Sequence, residues 1–213
     1  MKTRILIVDD HPFVRQGLKA ALKESGDIEI AGEASDGEEA ILKTRLLIPD
    51  ILLLDISLPG KNGLEVLKQI RAEMPKVKTL ILSAFPEKQY AIRCFANGAR
   101  GYLTKKSAAE ELLTAIRKIV GGGKYVSASL AELLAGEIGS DAEQLPHERL
   151  SDREFQVLCL LGQGKTVSEA AATLSLSLST INTYRAHILE KMKMETTAQL
   201  IRYVLDNNLV ESP

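Results

Sequence analysis

The chain has 213 residues, 45% of them hydrophobic and 26% charged, with a formal net charge of −1. That length suits one large domain or two small ones, and the composition excludes a wholly disordered chain. No apolar run nears the roughly 18 residues a membrane helix needs, and Asp9 and Asp10 arrive too early for the apolar core of a secretory leader. Cys94 and Cys159 lie too far apart in sequence to frame a disulfide scaffold or a metal-ligand spacing. A soluble cytoplasmic protein with no membrane partner is expected.

Charge divides unevenly along the chain. Residues 1–124 carry net +4, residues 125–148 carry five acids and no Lys or Arg, and residues 149–213 are neutral. No segment is basic enough to announce a nucleic-acid partner by charge alone.

The first 120 residues alternate between two periods. Strand-like apolar runs are read at 4–8, 28–34, 50–54, 78–82 and 100–103. Amphipathic helices lie between them, with Val14, Leu18, Ala21 and Leu22 on one face of 11–24, and Leu64, Leu67 and Ile70 on a face of 63–73. A further helix over 110–120 aligns Leu113, Ile116 and Val120 and stops at the glycine run 121–123. Five β-α units predict a parallel sheet covered on both sides. Residues 125–148 read as an acidic linker with one short helix at 130–138. From Leu150 the pattern is helical only. Helices are predicted over 152–161, 167–174, from a Ser177 cap to about 192, and from Thr196 or Thr197 to about 207. The tight junction at 174–177 marks a helix-turn-helix.

In the α/β half, polar residues stand immediately after four apolar strands. Asp9 and Asp10 follow the first, Asp55 the third, Ser83 the fourth and Lys105 the fifth. The carboxyl ends of the strands in an open parallel sheet form one crevice, so these groups converge on one rim. Crowded carboxylates repel, and a divalent cation neutralises them; oxygen-only ligands suit Mg²⁺. A carboxylate also serves as a nucleophile toward phosphorus, with Lys105 and Ser83 to meet the charge on the phosphoryl oxygens. Asp55 is read as the nucleophile, and Asp9 and Asp10 as metal holders. His11 reads as a helix-start residue.

These pieces resemble a response-regulator receiver domain. The resemblance rests on VDDHP, LLLDISLPGKNG, LSA and GYLTK, and it covers residues 1–124. It implies a flavodoxin-like sheet in the order 2-1-3-4-5 and a histidine kinase that phosphorylates Asp55. It implies Mg²⁺ held by Asp10, Asp55 and the backbone carbonyl of Ser57, with Asp9 acting largely through water. It also implies a switch in which Ser83 turns toward the phosphoryl group and Tyr102 turns inward. Lys106 departs from the pattern, since many receivers carry a cis proline there.

Residues 149–207 resemble the LuxR-type helix-turn-helix of the NarL/FixJ family, through LSDREFQVLCLLGQGKT and SEAAATLSLSLSTINTYRAHILEKM. On the third helix, Ile181, Tyr184, Ile188 and Met192 step by three or four and form the face expected to be buried. Ser179, Asn182, Thr183, Ala186 and Glu190 occupy the other face, small and polar where a recognition helix enters the major groove. Asn182 is read as an adenine contact, with Thr183 and Ala186 against a thymine methyl. Thr180, Arg185 and Lys191 are read as phosphate contacts. Val167, Ala170, Leu178 and Asn182 depart from common family residues, which bears on base preference more than on fold. Leu200 and Tyr203 of the last helix are expected at a dimer surface, and double-stranded DNA and a second copy are the expected partners.

Three other readings compete. An aspartate-nucleophile phosphohydrolase wants a second acid two residues beyond its nucleophile, and that place holds Ser57. A phosphate-binding loop ending at 164–166 would need glycine at position 159, which is Cys159, and a preceding strand. A protein-binding adaptor, or a DNA-binding regulator independent of phosphorylation, remains as the alternative to the phosphorylation-controlled transcription regulator. The chain is expected to act on no substrate beyond its own Asp55.

Overall fold

A computed structural model of the chain describes every residue except 1, 24, 86, 108, 128–129, 133–144, 208 and 211–213, and describes 88 and 89 by their backbone only. The chain divides into two compact units, Met1–Leu134 and Ala135–Pro213.

The first unit is a five-stranded parallel sheet. Its strands are β1 (Thr3–Val8), β2 (Ile28–Ala34), β3 (Ile51–Leu54), β4 (Lys78–Ser83) and β5 (Gly101–Thr104). They run in the order β2-β1-β3-β4-β5, as expected. Every residue of β3 is buried, which is why it reads as an unbroken apolar run with no alternation. The connecting helices are α1 (Pro12–Lys23), α2 (Gly37–Leu47), α3 (Gly63–Glu73), α4 (Glu87–Ala96) and α5 (Ala109–Val120). On the face under α1 and α5, Ile5, Ile7, Leu53, Leu80 and Leu82 meet Leu22, Leu112, Ile116 and Ile119. By strand alternation the other face carries Leu6, Val8, Leu52, Leu54 and Ile81, all buried. Burying each such side chain stabilises the fold by roughly 1.5–3 kcal/mol before entropy is counted. Of the α1 residues expected on the core face, Leu22 is buried and Val14, Leu18 and Ala21 are half-buried. Asp36 and Asn62 cap α2 and α3, accepting from the amides of Glu39 at 2.8 Å and Glu65 at 2.9 Å.

Two described residues of the stretch read as linker pack on the sheet unit. Tyr125 donates its amide to the Arg100 carbonyl at 2.8 Å and bridges Gly101, and Leu130 is fully buried. The stretch after 124 therefore extends the sheet unit. It reads as linker in the sequence because its packing partners are remote. The helix expected over 130–138 is described only at 130–132, where it is helical.

The second unit is all helical: a 3-10 turn at Pro146–Arg149, then α6 (Asp152–Gly162), α7 (Val167–Leu174), α8 (Leu178–Met192) and α9 (Thr197–Asp206). Ser151, Thr166, Ser177 and Thr196 cap these four helices, each through its side-chain oxygen. The core takes Phe155, Leu158, Leu161, Ile181, Ile188, Met192, Leu200 and Val204. Tyr184 is half-buried, so the core face of α8 narrows to three residues, Ile181, Ile188 and Met192.

One polar tie joins the first and third helices. Glu154 completes the Ser151 capping box and also accepts from Lys191 Nζ at 2.8 and 2.7 Å. Burial pushes the Glu154 carboxyl up, but the Lys191 and Ser151 hydrogen bonds outweigh it and hold the carboxyl below its ordinary range. The stabilisation from a lowered carboxyl is present above its unfolded value and lost as pH falls through the folded one. Glu154→Gln is expected to destabilise the helical unit by about 1.5–3 kcal/mol at neutral pH, the worth of a charged hydrogen bond. Hydrogen exchange of the α8 amides reads this as faster opening. The difference from the wild type closes as the medium is acidified below the ordinary carboxylate range.

Candidate functional site

The acids, hydroxyl and lysine meet at the carboxyl ends of β1, β3, β4 and β5, beside the place where strand order reverses between β1 and β3. Lys105 Nζ lies 2.6 Å from Asp9 Oδ2 and 2.7 Å from Asp55 Oδ2. Both acids are 1% exposed. Burial pushes Asp55 above the usual carboxylate range, opposed by the Lys105 charge and reinforced by the Asp9 charge. Burial alone would lower the Lys105 ammonium, but Asp55 and Asp9 outweigh it and hold it above its ordinary value. The three groups form a buried charge cluster in which one cation serves two anions.

The backbone around them is fixed. The Ser57 amide donates to Asp55 Oδ1 at 3.1 Å, placing residue 57 beside the acids. The Arg15 guanidinium donates to the Asp9 carbonyl at 2.6 Å. Gly63 opens α3 directly behind Asp55, where a Cβ would stand 2.1 Å from the Asp55 carbonyl oxygen, so no side chain fits.

Asp10 stands at the mouth. Its buried Oδ1 lies 2.6 Å from His11 Nδ1 but meets no partner with hydrogen-bond geometry. Ligand atoms of Asp9, Asp10, His11 and Asp55 all fall within 4.8 Å of one another. A buried, unbonded carboxylate oxygen among further carboxylates is a donor set that a hard divalent cation satisfies, so the residues present fit Mg²⁺. His11, read from the sequence as a helix-start residue, joins this cluster.

Ser83 is fully buried, and its hydroxyl accepts from the Phe85 amide at 3.2 Å. Tyr102 points inward, 1% exposed, and its hydroxyl donates to the Phe85 carbonyl at 2.8 Å. Burial pushes its phenol well above the ordinary value. The Phe85 ring stacks on Tyr90 at 4.5 Å, tying the loop after β4 to α4. The peptide after Lys105 is trans.

In the helical unit, Ser179, Asn182, Thr183 and Ala186 are exposed together on α8, with Thr180 and Arg185 half-buried beside them. Asn182 folds back on the Leu178 carbonyl at 3.1 Å, and Thr183 on that of Ser179 at 3.1 Å. Lys191 is exposed but engaged by Glu154. Leu200 is not at a surface: it is fully buried on the side of α9 that closes the core. An apolar helix position cannot be assigned to core or interface by type alone, and here the core takes it. Tyr203 is half-buried, its hydroxyl 2.8 Å from His147 Nδ1. The sequence reading missed this contact and the Glu154–Lys191 tie, since each joins residues far apart in the chain. The capping pattern at 151–154 was the only local signal for Glu154.

Residues 5–117 match the response regulator receiver domain, and residues 148–204 match the bacterial regulatory proteins of the luxR family. The chain is 34% identical over 209 residues to the transcriptional regulatory protein MctR of Rhizobium johnstonii, spanning 98% of this chain and 96% of that one. It is 35% identical over 215 residues to the oxygen regulatory protein NreC of Staphylococcus aureus, spanning 98% and 99%. The structure of RcsB from Salmonella enterica serovar Typhimurium, bound to promoter rprA in the presence of the phosphomimetic BeF3−, superposes with a TM-score of 0.65. That pair shares 26% identity over 95% of this chain and 98% of the other. A buried acid cluster on a 2-1-3-4-5 sheet and a separate helix-turn-helix define a two-domain regulator. The chain belongs to the two-component response regulators that join a receiver domain to a LuxR-type helix-turn-helix. It is a phosphorylation-controlled DNA-binding transcription regulator and not a typical enzyme. No helix among the described residues is long and apolar enough to cross a membrane.

The fit of the acids to Mg²⁺ gives a direct test. Mg²⁺ is expected to raise the melting temperature of the wild-type chain with saturation. Asp10→Asn is expected to lose that response while melting no lower than wild type without Mg²⁺, because one of the crowded charges is gone. An undiminished Mg²⁺ response in Asp10→Asn contradicts the assignment.

Proposed function

We propose that Asp55 accepts a phosphoryl group from the phosphohistidine of a kinase, and that this event controls DNA binding by α8. The observation that carries the reading is the Lys105 ammonium held against both Asp9 and Asp55. In the transfer, a carboxylate oxygen of Asp55 forms the new bond to phosphorus as the donor's P–N bond breaks, and the imidazole leaves with the electron pair. Lys105 then exchanges its Asp55 contact for a phosphoryl oxygen. Mg²⁺, when bound, neutralises the acids and the incoming phosphoryl charge; Asp10, Asp55 and the Ser57 carbonyl would hold it, with Asp9 acting through water. The same site hydrolyses its own aspartyl phosphate, and these two reactions at Asp55 are the only ones assigned to the chain.

Ser83 is the hydroxyl that follows the phosphoryl group. Its present partner is the Phe85 amide, and Tyr102 holds the Phe85 carbonyl, so movement of Ser83 reaches the loop before α4 through one residue. Phosphorylation thereby biases a two-state receiver, favouring a homodimer, a freed α8, or both. A dimer contact on α9 falls to the half-buried Tyr203, since Leu200 is buried.

On α8 the exposed Ser179, Asn182, Thr183 and Ala186 read bases, and Thr180 and Arg185 hold phosphates. Lys191 joins them only by giving up Glu154. With so few free cations the affinity of one copy is low, and two copies on paired half-sites supply the rest.

Beryllofluoride with Mg²⁺ is expected to drive the wild type to a dimer in sedimentation and to raise promoter affinity in a gel shift, while Asp55→Asn does neither. Equal DNA binding in every condition would leave a regulator that Asp55 does not control, and no binding in any condition would favour the adaptor. Within the bound complex, Asn182→Ala is expected to cost about 1–3 kcal/mol and relax base preference at one position. Arg185→Ala is expected to weaken all sequences alike and to lower the salt slope by about one.

A further inference from the structure

A second polar cavity lies at the other end of the receiver sheet. It opens between α3, α4 and the start of β4, with a volume of about 290 Å³. In a parallel sheet the starts of β4 and β5 are remote from the strand ends that carry Asp55 and Lys105.

Three cations from three separate segments line it: Arg71 of α3, Arg100 before β5, and Lys124 after α5. No carboxylate lines it, and none of the three cations pairs with an acid among the described residues. On the same unit Arg45 is paired with Glu73 and Arg117 with Asp27.

Arg71 is held in place. Its guanidinium donates to the Ala96 carbonyl at 2.8 Å, which leaves its other N–H groups available. Its stem lies on Gly98, where a Cβ would stand 2.4 Å from Arg71 Cδ and where φ is +103°. Lys124 Nζ sits 5.9 Å from the centre of the Phe95 ring. Below these cations is Thr79, 3% exposed and lining the cavity, whose hydroxyl makes no hydrogen bond among the described residues. Leu67, Val77 and Phe95 supply apolar wall.

We infer that this cavity is a binding site for a small organic phosphate, separate from the phosphoacceptor site. A phosphate monoester carries about −1.5 to −2 charge and three acceptor oxygens, which matches two or three cations above one unpaired hydroxyl. The guanidinium fork suits phosphate geometry, and the aliphatic and aromatic wall suits a small apolar body. The volume stands at the lower end of ligand pockets, about 300–1,000 Å³, and so limits the ligand to a compact one.

The test uses the full chain as Asp55→Asn without Mg²⁺, so that the acid cluster takes no phosphate. Backbone ¹H–¹⁵N resonances are followed during titration with phenyl phosphate, inorganic phosphate, benzoate and sodium chloride at matched ionic strength. Saturable shifts at Gly98, Ala99 and Arg100, tightest for phenyl phosphate, are the expected result. Arg100→Ala with Lys124→Ala is expected to weaken binding about ten-fold or more, the loss of at least one charge-assisted hydrogen bond. Thr79→Val is expected to weaken it several-fold with an unchanged melting temperature. Shifts matched by sodium chloride, tightest for benzoate, centred on residues 9–11 and 55–57, or undiminished in the double variant would overturn the assignment.

Discussion

The receiver depends on a single cation shared between two buried anions. Asp9 and Asp55 sit side by side with almost no access to water, and Lys105 Nζ is within 2.7 Å of both. Two such charges cannot be buried unaided. Lys105 makes the arrangement tolerable, but one ammonium against two carboxylates leaves the cluster short of positive charge, and Asp10 Oδ1 adds a further oxygen with no hydrogen bond. This deficit gives the site its chemistry. A structure balanced by its own side chains would have no use for a cation, and without the cation an incoming phosphoryl group would meet only repulsion.

The fold serves this cluster by carrying each member on a different strand. A parallel sheet delivers every strand's carboxyl end to the same rim, so groups 50 residues apart in sequence, Asp55 and Lys105, arrive at hydrogen-bond distance. The order β2-β1-β3-β4-β5 places the acid strands side by side. Positions behind the rim are correspondingly tight. Gly63 admits no Cβ against the Asp55 carbonyl, and Ser57 points its amide at Asp55. The helical unit uses a related device in milder form, with Glu154 engaged by a cap on one side and Lys191 on the other.

Most of the sheet and its site are legible in the sequence because they are written locally. An apolar run followed at once by an acid, hydroxyl or lysine states both a strand and its rim. The caps Ser151 and Ser177 likewise announce their helices within four residues. What the sequence conceals is choice among distant partners. Leu200 has the type of either a core or an interface residue, and only the packing of α9 puts it inside. Tyr125 and Leu130 look like linker until the Arg100 carbonyl and the sheet unit are seen to hold them. The free cations of Arg71, Arg100 and Lys124 come from three segments, and no spacing rule joins them.

The central claim is that Asp55 is the acid that takes the phosphoryl group. It is tested most directly by treating the chain with acetyl phosphate and Mg²⁺, reducing the acyl phosphate with borohydride, and locating the resulting homoserine by peptide mass spectrometry. The account predicts modification at residue 55 alone, dependent on Mg²⁺ and lost when Lys105 is replaced by methionine. Modification at Asp9, Asp10 or elsewhere, or none at position 55 in the folded wild type, would contradict it.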